Sequence, residues 1–144
     1  MKKTHKKQTG FTLLEVMVVI MIIGGMAALI VPNLIGNKSK ADIQKVKSDI
    51  TALENALDMY NLDNSIYPTT DQGLEALVSE PESTPTARNY RDGGYIKRLP
   101  QDPWGNDYIL NNPGENGKID VLSVGLDGEE GTEDDIGNWN LNEK

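Results

Sequence analysis

Apolar positions along this chain follow two regimes. Residues 11–31 form a run of 21 in which only Thr12, Glu15 and the Gly24-Gly25 pair interrupt the apolar character. As a helix rising about 1.5 Å per residue the run spans roughly 31 Å, the thickness of a bilayer's hydrocarbon core. Beyond it the pattern becomes amphipathic. Ile43, Val46, Ile50, Leu53, Leu57 and Tyr60 recur at spacings of three and four, with Lys45, Lys47, Asp49, Glu54 and Asp58 on the other faces. That periodicity predicts one apolar stripe on a helix. Together the two regimes predict a nearly continuous helix over residues 11–63, with a kink or local unwinding where Pro32 and Gly36 leave the bilayer.

The remaining pattern is shorter and more broken. Thr69 as N-cap with Gln72 three residues on reads as a capping box, opening a second helix with Leu74, Leu77 and Val78 on its apolar face and Pro81 limiting it. Proline and glycine make residues 81–94 loop-like, and Tyr95-Ile96 is expected to pack back. Asp102-Pro103-Trp104-Gly105-Asn106 is a turn. Residues 107–110 and 118–123 read as an antiparallel hairpin, and residues 136–139 as a third short strand. The predicted class is α+β: a long helix, a short helix and a small antiparallel sheet.

Charge divides the chain sharply. Lys2, Lys3, Lys6 and Lys7 give the first ten residues a charge of +4, whereas residues 36–144 carry 10 basic and 21 acidic side chains, a net of −11. Positive residues before the span hold that end in the cytoplasm, so the acidic part is expected on the far side of the membrane. It is poorly suited to binding nucleic acid. There is no cysteine, and His5 is the sole histidine. If the leader is removed, Ser–His and Cys–His nucleophile systems and the usual zinc ligand sets go with it. Carboxylate-only catalysis remains chemically open, but nothing in the pattern positions it.

A plain apolar N-terminus would be an uncleaved anchor or a secretory signal. Two details oppose both. A secretory signal is cut after its apolar core, of about 7–15 residues, whereas here the composition breaks before the run, at Gly10. Glu15 also lies inside the run, where a carboxylate costs about 2.5–3.5 kcal/mol on insertion scales and so marks a functional position. The stretch Lys6-Lys7-Gln8-Thr9-Gly10-Phe11-Thr12-Leu13-Leu14-Glu15 resembles the class III leader junction of type IV pilins and of the pseudopilins of bacterial type II secretion. The resemblance implies cleavage after Gly10 by a prepilin peptidase, N-methylation of Phe11, and a role in assembly for Glu15 together with Phe11. It divides the chain into a basic leader (1–10), a transmembrane and assembly helix (11–35) and a periplasmic head (36–144), in the pilin-like lollipop arrangement.

Three head segments narrow the family. Tyr67-Pro68-Thr69-Thr70-Asp71-Gln72-Gly73-Leu74, Leu99-Pro100-Gln101-Asp102-Pro103-Trp104-Gly105 and Asp134-Asp135-Ile136-Gly137-Asn138-Trp139 are similar to the major pseudopilins, the protein G family of type II secretion. The implied function is that of a non-enzymatic filament subunit. It would polymerise from the bacterial inner membrane into a periplasmic pseudopilus that drives export of folded proteins. Implied partners are further copies of itself, the peptidase, minor pseudopilins, inner-membrane assembly proteins and membrane lipid. The alternatives are a type IV pilus major pilin forming a surface fibre, which the absence of a C-terminal cysteine pair and the acidic loop oppose, and a membrane-anchored binding module.

Two charged features remain. Glu54 and Asp58 are like charges four apart on one helix, mildly unfavourable unless a basic partner offsets them. Lys97-Arg98, of the same or a neighbouring subunit, is the nearest dense candidate, and a solvated acidic face is the competing reading. The segment 124–135 places six carboxylates within the nine residues from Asp127 to Asp135, interleaved with glycine. Hard cations such as Ca²⁺ take 6–8 oxygen ligands, so composition alone leaves a calcium loop and a solvated acidic loop both open. The resemblance implies calcium, held by Asp127, Asp134 and Asp135 with backbone oxygens of Val124 and Thr132.

Overall fold

The computed structural model describes residues 12–142, and within that span the side chains of residues 25–38 are not described. The leader and the Gly10–Phe11 junction lie outside the described residues. The chain forms two compact units, Met1–Lys40 and Ala41–Lys144. In chain order the elements are α1 (Leu13–Asn64), a single 3₁₀ turn (Leu74–Leu77), β1 (Ile109–Asn111), β2 (Asp120–Ser123) and β3 (Ile136–Gly137).

In the first unit, the described side chains from Leu13 to Ile23 leave their large apolar groups exposed. Among the described residues no helix is long and apolar enough to cross a membrane. The predicted span continues into residues 25–31, whose side chains are not described. Local unwinding at Pro32 and Gly36 is absent, because α1 is helical throughout. A proline removes one N–H, and the hydrogen bonds of the flanking turns carry the helix past it.

The second unit is built on the predicted stripe. Val46, Ile50, Leu53, Leu57 and Tyr60 are buried, and Ala56 joins them. Ile43 does not, being exposed, because the packed face of α1 begins only at Val46. Opposite the stripe lie Leu74, Ala76, Leu77, Tyr108, Leu110, Ile119 and Val121. Fully burying an aliphatic side chain stabilises by about 1.5–3 kcal/mol, so this interface is the main source of the head's stability.

The second helix differs from expectation. The capping box forms: the Gln72 N–H donates to Thr69 Oγ1 at 3.2 Å, and the Thr69 N–H donates to Gln72 Oε1 at 3.1 Å. Gly73, at φ +60° and ψ −167°, then turns the backbone away, leaving only the 3₁₀ turn of four residues. Leu74 and Leu77 are buried as expected, with Ala76, while Val78 is half-buried. Tyr95 and Ile96 do pack back, both N–H groups donating to the Leu77 carbonyl at 2.7 and 3.1 Å. Gly94 permits this approach at φ +76°, since a Cβ there would strike the Leu77 and Val78 carbonyl oxygens.

The sheet is antiparallel in the order β1-β2-β3, with Leu110 opposite Val121 and Ser123 opposite Ile136. Each strand is shorter than predicted, and other local pairings take over at the strand ends. Asp107 pairs with Gln101 across the Asp102 turn instead of extending β1. Asn138 continues β3 through its side chain, Oδ1 accepting from the Val121 N–H at 3.2 Å. Asp120 opens β2 by folding the preceding turn, its Oδ2 accepting from the Glu115 and Asn116 N–H groups at 2.7 and 2.9 Å.

Candidate functional site

The described part of the junction motif, from Thr12 onward, forms a helix start. Thr12 precedes α1, and its Oγ1 accepts from the Glu15 N–H at 3.2 Å. Thr12 therefore caps the helix that carries Glu15. The sequence holds the signal for this, a threonine with glutamate three residues later, but the apolar run masks it. The Glu15 carboxylate is exposed in the first turn, where negative charge complements the helix dipole.

The acidic pair on α1 is occupied within the chain by neutral donors. Asn138 Nδ2 donates to Glu54 Oε1 at 2.9 Å, and the Tyr67 hydroxyl donates to Asp58 Oδ1 at 2.7 Å. Lys97 and Arg98 are exposed and are not brought to either carboxylate. The cation that does reach the helix is Arg91, which lies 2.9 Å from Asp63 Oδ2 and over the Tyr95 ring. No periodicity marks Arg91, since it sits in a loop.

The acidic loop follows β2 directly. Asn106 Nδ2 donates to the Gly125 carbonyl at 2.9 Å, and Asp102, buried under the turn, accepts from Ser123 Oγ at 2.7 Å. These bonds fasten the loop's base to the Asp102 turn. Gly125, at φ +65°, lets Asp134 close over it, because a Cβ there would occupy the space of the Asp134 carboxylate. Asp134 Oδ2 accepts from the Leu126 and Asp127 N–H groups at 2.7 and 3.2 Å, and its Oδ1 accepts from Thr132 Oγ1 at 2.7 Å. The Thr132 hydroxyl, then the Asp127 N–H, lower its pKa below the usual aspartate range. Asp135 Oδ2 accepts from the Gly131 and Thr132 N–H groups at 2.7 and 3.2 Å, and Asp127 Oδ1 from the Glu129 N–H at 2.9 Å.

The predicted carboxylates thus share one loop, held by backbone donors. Among the described residues no three His, Cys, Asp or Glu side chains stand close enough to hold a metal ion. One observation nevertheless suits a cation: Asp135 Oδ1 is buried with no hydrogen-bond partner. A buried acceptor left unpaired costs about 1–3 kcal/mol, more for a charged group. The donor set, carboxylates with the buried Val124 and half-buried Thr132 in the same loop, has the hard-oxygen chemistry Ca²⁺ requires.

Comparison with known proteins bears on the whole chain. Residues 5–31 match the prokaryotic N-terminal methylation motif, which covers Gly10, Phe11 and Glu15. Residues 33–139 match the family described as type II secretion system (T2SS), protein G. The chain belongs to that family. Among its relatives, the type II secretion system core protein G of Aeromonas hydrophila is 71% identical over 136 residues, covering 94% of this chain and 95% of the relative. That of Escherichia coli is 70% identical over 138 residues, covering 96% and 95%, and that of Vibrio cholerae 67% over 142, covering 96% and 97%. A crystal structure of the major pseudopilin from the type 2 secretion system of enterohaemorrhagic Escherichia coli superposes with a TM-score of 0.71 at 67% identity. It covers 75% of this chain and 95% of that one. The α+β fold described above is therefore the fold of a protein G pseudopilin. The three head segments that carried the resemblance all fall within the matched residues 33–139.

Proposed function

We propose that this chain is the major subunit of a periplasmic pseudopilus, anchored in the bacterial inner membrane with its N-terminus cytoplasmic and its head in the periplasm. The observation that carries this is the joining of a leader junction at Gly10-Phe11 to a protein G head in one chain. A peptidase cuts after Gly10 and methylates Phe11. The matured subunits then polymerise through their N-terminal helices, whose exposed apolar groups from Leu13 to Ile23 suit both lipid and neighbouring helices. The role is structural, and filament growth moves folded cargo outward. Minor pseudopilins and inner-membrane assembly proteins are the expected co-assembling partners. A surface fibre and a membrane-anchored binding module gain no support from any particular feature of the head.

Within this reading Glu15 pairs with the α-amine of a neighbour's Phe11, two charges each costly alone in lipid. Glu54 and Asp58 meet Lys97-Arg98 between subunits. Ca²⁺ is held by Asp127, Asp134 and Asp135 with backbone oxygens of Val124 and Thr132, and it supplies a crosslink that the cysteine-free head lacks.

The test is processing and export together. In cells carrying the peptidase, mature protein begins at N-methyl-Phe11, Gly10→Val keeps its leader, and the unsubstituted chain restores secretion to a strain lacking its own protein G. A mature terminus near Ala27 or beyond would sink the pseudopilin reading.

A further inference from the structure

The turn that leads into β2 holds a chemically labile pair. Of the asparagines in the chain, only Asn116 is followed by glycine. Both residues are exposed and lie outside every helix and strand. The fold does not require glycine at 117. Its φ is not in the left-handed region, and an added Cβ would meet the Ile119 carbonyl oxygen at 3.5 Å and Asp120 Oδ1 at 3.8 Å, both ordinary contacts. Gly114, in the same turn, differs, because a Cβ there would strike the Asp120 carboxylate. Among the described residues the Gly117 N–H donates to no acceptor. A backbone nitrogen with no side chain beside it and no hydrogen-bond partner is open to react with its neighbour.

We infer that Asn116-Gly117 is a self-acting modification site, where the folded head converts Asn116 to aspartate and isoaspartate and the new carboxylate loosens the turn from Asp120. The Gly117 nitrogen attacks Asn116 Cγ, forming the C–N bond of a succinimide ring and giving its proton to solvent base. The side-chain amide nitrogen takes a proton from water and leaves as ammonia. Water then opens the ring at either carbonyl, so the net change is water consumed and ammonia released, with no oxidant or cofactor. The reacting atoms belong to adjacent residues, and that proximity replaces a bimolecular encounter.

The position of the pair gives the conversion its consequence. Asn116 holds the buried Asp120 twice, its N–H and Nδ2 donating to Asp120 Oδ2 at 2.9 and 3.1 Å. The Nδ2 bond is the longest of the three on that oxygen, so it is the one released most readily to free Cγ for attack. Conversion sets a carboxylate oxygen against the Asp120 carboxylate in place of a donor. Isoaspartate also routes the main chain through the former side chain, which shifts the register of the turn. Asp120 is 3% exposed and its Oδ1 has no partner, so a lost donor leaves it further unsatisfied. Glu115, Glu130 and Asp135 line the same cavity of about 300 Å³ as Asn116 and Asp120, and the new charge adds to theirs.

The test uses the full-length chain in detergent, held folded for days at neutral and at mildly alkaline pH. Fragmentation mass spectrometry locates each converted amide, and enzymatic methylation counts isoaspartate. Asn116 should convert, faster at the higher pH because base removes the Gly117 proton, while the exposed Asn55 and Asn89 stay intact. Gly117→Ala should slow the conversion several-fold without moving the melting temperature, since its Cβ has room. Asn116→Asp should melt below Asn116→Ala, which loses the same donor without gaining charge. An intact Asn116 in the folded chain, equal conversion at Asn55 or Asn89, or an unchanged rate in Gly117→Ala would each overturn the modification site. Equal melting of Asn116→Asp and Asn116→Ala would overturn the loosening of the turn. None of these readouts requires a filament, so the outcome is independent of the pseudopilus reading.

Discussion

Tyr108 shows how a single residue couples the helix to the sheet. Its hydroxyl donates to Asp49 Oδ2 at 2.8 Å, from a side chain 6% exposed at the entrance to β1. Burial first, then the hydrogen bond to the Asp49 carboxylate, raises its pKa well above the ordinary tyrosine value of 10. A raised folded pKa means that the stabilising contribution is intact below about pH 10 and is lost as pH rises beyond it. Tyr108→Phe removes the bond at neutral pH, a loss of about 1.5–3 kcal/mol for a hydrogen bond to a charged group. Urea denaturation at pH 7 and pH 10.5 checks both points. The variant starts lower and falls less steeply with pH, and equal slopes for the two proteins would mean that this bond does not govern alkaline stability.

At the scale of one element, the acidic loop is held by its own backbone. Asp134 has a lowered pKa, so its contribution is present above the usual aspartate range and is lost as pH falls through the folded value. Asp135 Oδ1 is buried without a hydrogen-bond partner, and it is the atom on which the calcium proposal rests. On the calcium reading proposed above, binding would stabilise the folded head by about 2.7 kcal/mol when the free ion is 100-fold above Kd. The soluble head, from residue 38 onward, should melt at a higher temperature with calcium than with chelator. Magnesium should substitute poorly, because it demands a tighter octahedral shell. Asp127→Ala should abolish the calcium response while leaving the chelator melting temperature near that of the unsubstituted head. Equal melting of the unsubstituted head in calcium and chelator would return the loop to a solvated acidic segment.

For the whole molecule, the separation into two compact units allows assembly and head folding to be perturbed independently. Glu15 lies in the first unit, and among the described residues no core residue of the head lies there. Glu15→Ala should therefore leave membrane insertion and the head's melting temperature unchanged while reducing filament formation and export. Thr12 belongs to the same test as a control: Thr12→Ala loses a cap, about 1 kcal/mol of helix stability, without removing the charge. Normal filaments and export in Glu15→Ala would remove the pairing argument.

Periodicity determined the long helix and its buried stripe, because the 3.6-residue repeat is a local property that one face of a core must respect. The capping box at Thr69 and Gln72 and the three strands were also legible, since caps and strand runs are written within a few residues. The class of the junction at Gly10-Phe11 could be read from a contiguous motif alone. What only the tertiary structure decided are the long-range substitutions of one partner for another. Asn138 answers Glu54 across 84 residues, Arg91 rather than Lys97 or Arg98 reaches the helix, and Asn64 pins the Asn89 N–H at 2.9 Å from the buried end of α1. Such pairings depend on where loops return in space, and loop paths follow packing rather than period. The exposure of Met59 and Leu62 belongs to the same class. The sequence places them on a helix, but only the packed head shows that, among the described residues, Leu62 stays largely exposed and Met59 about half exposed.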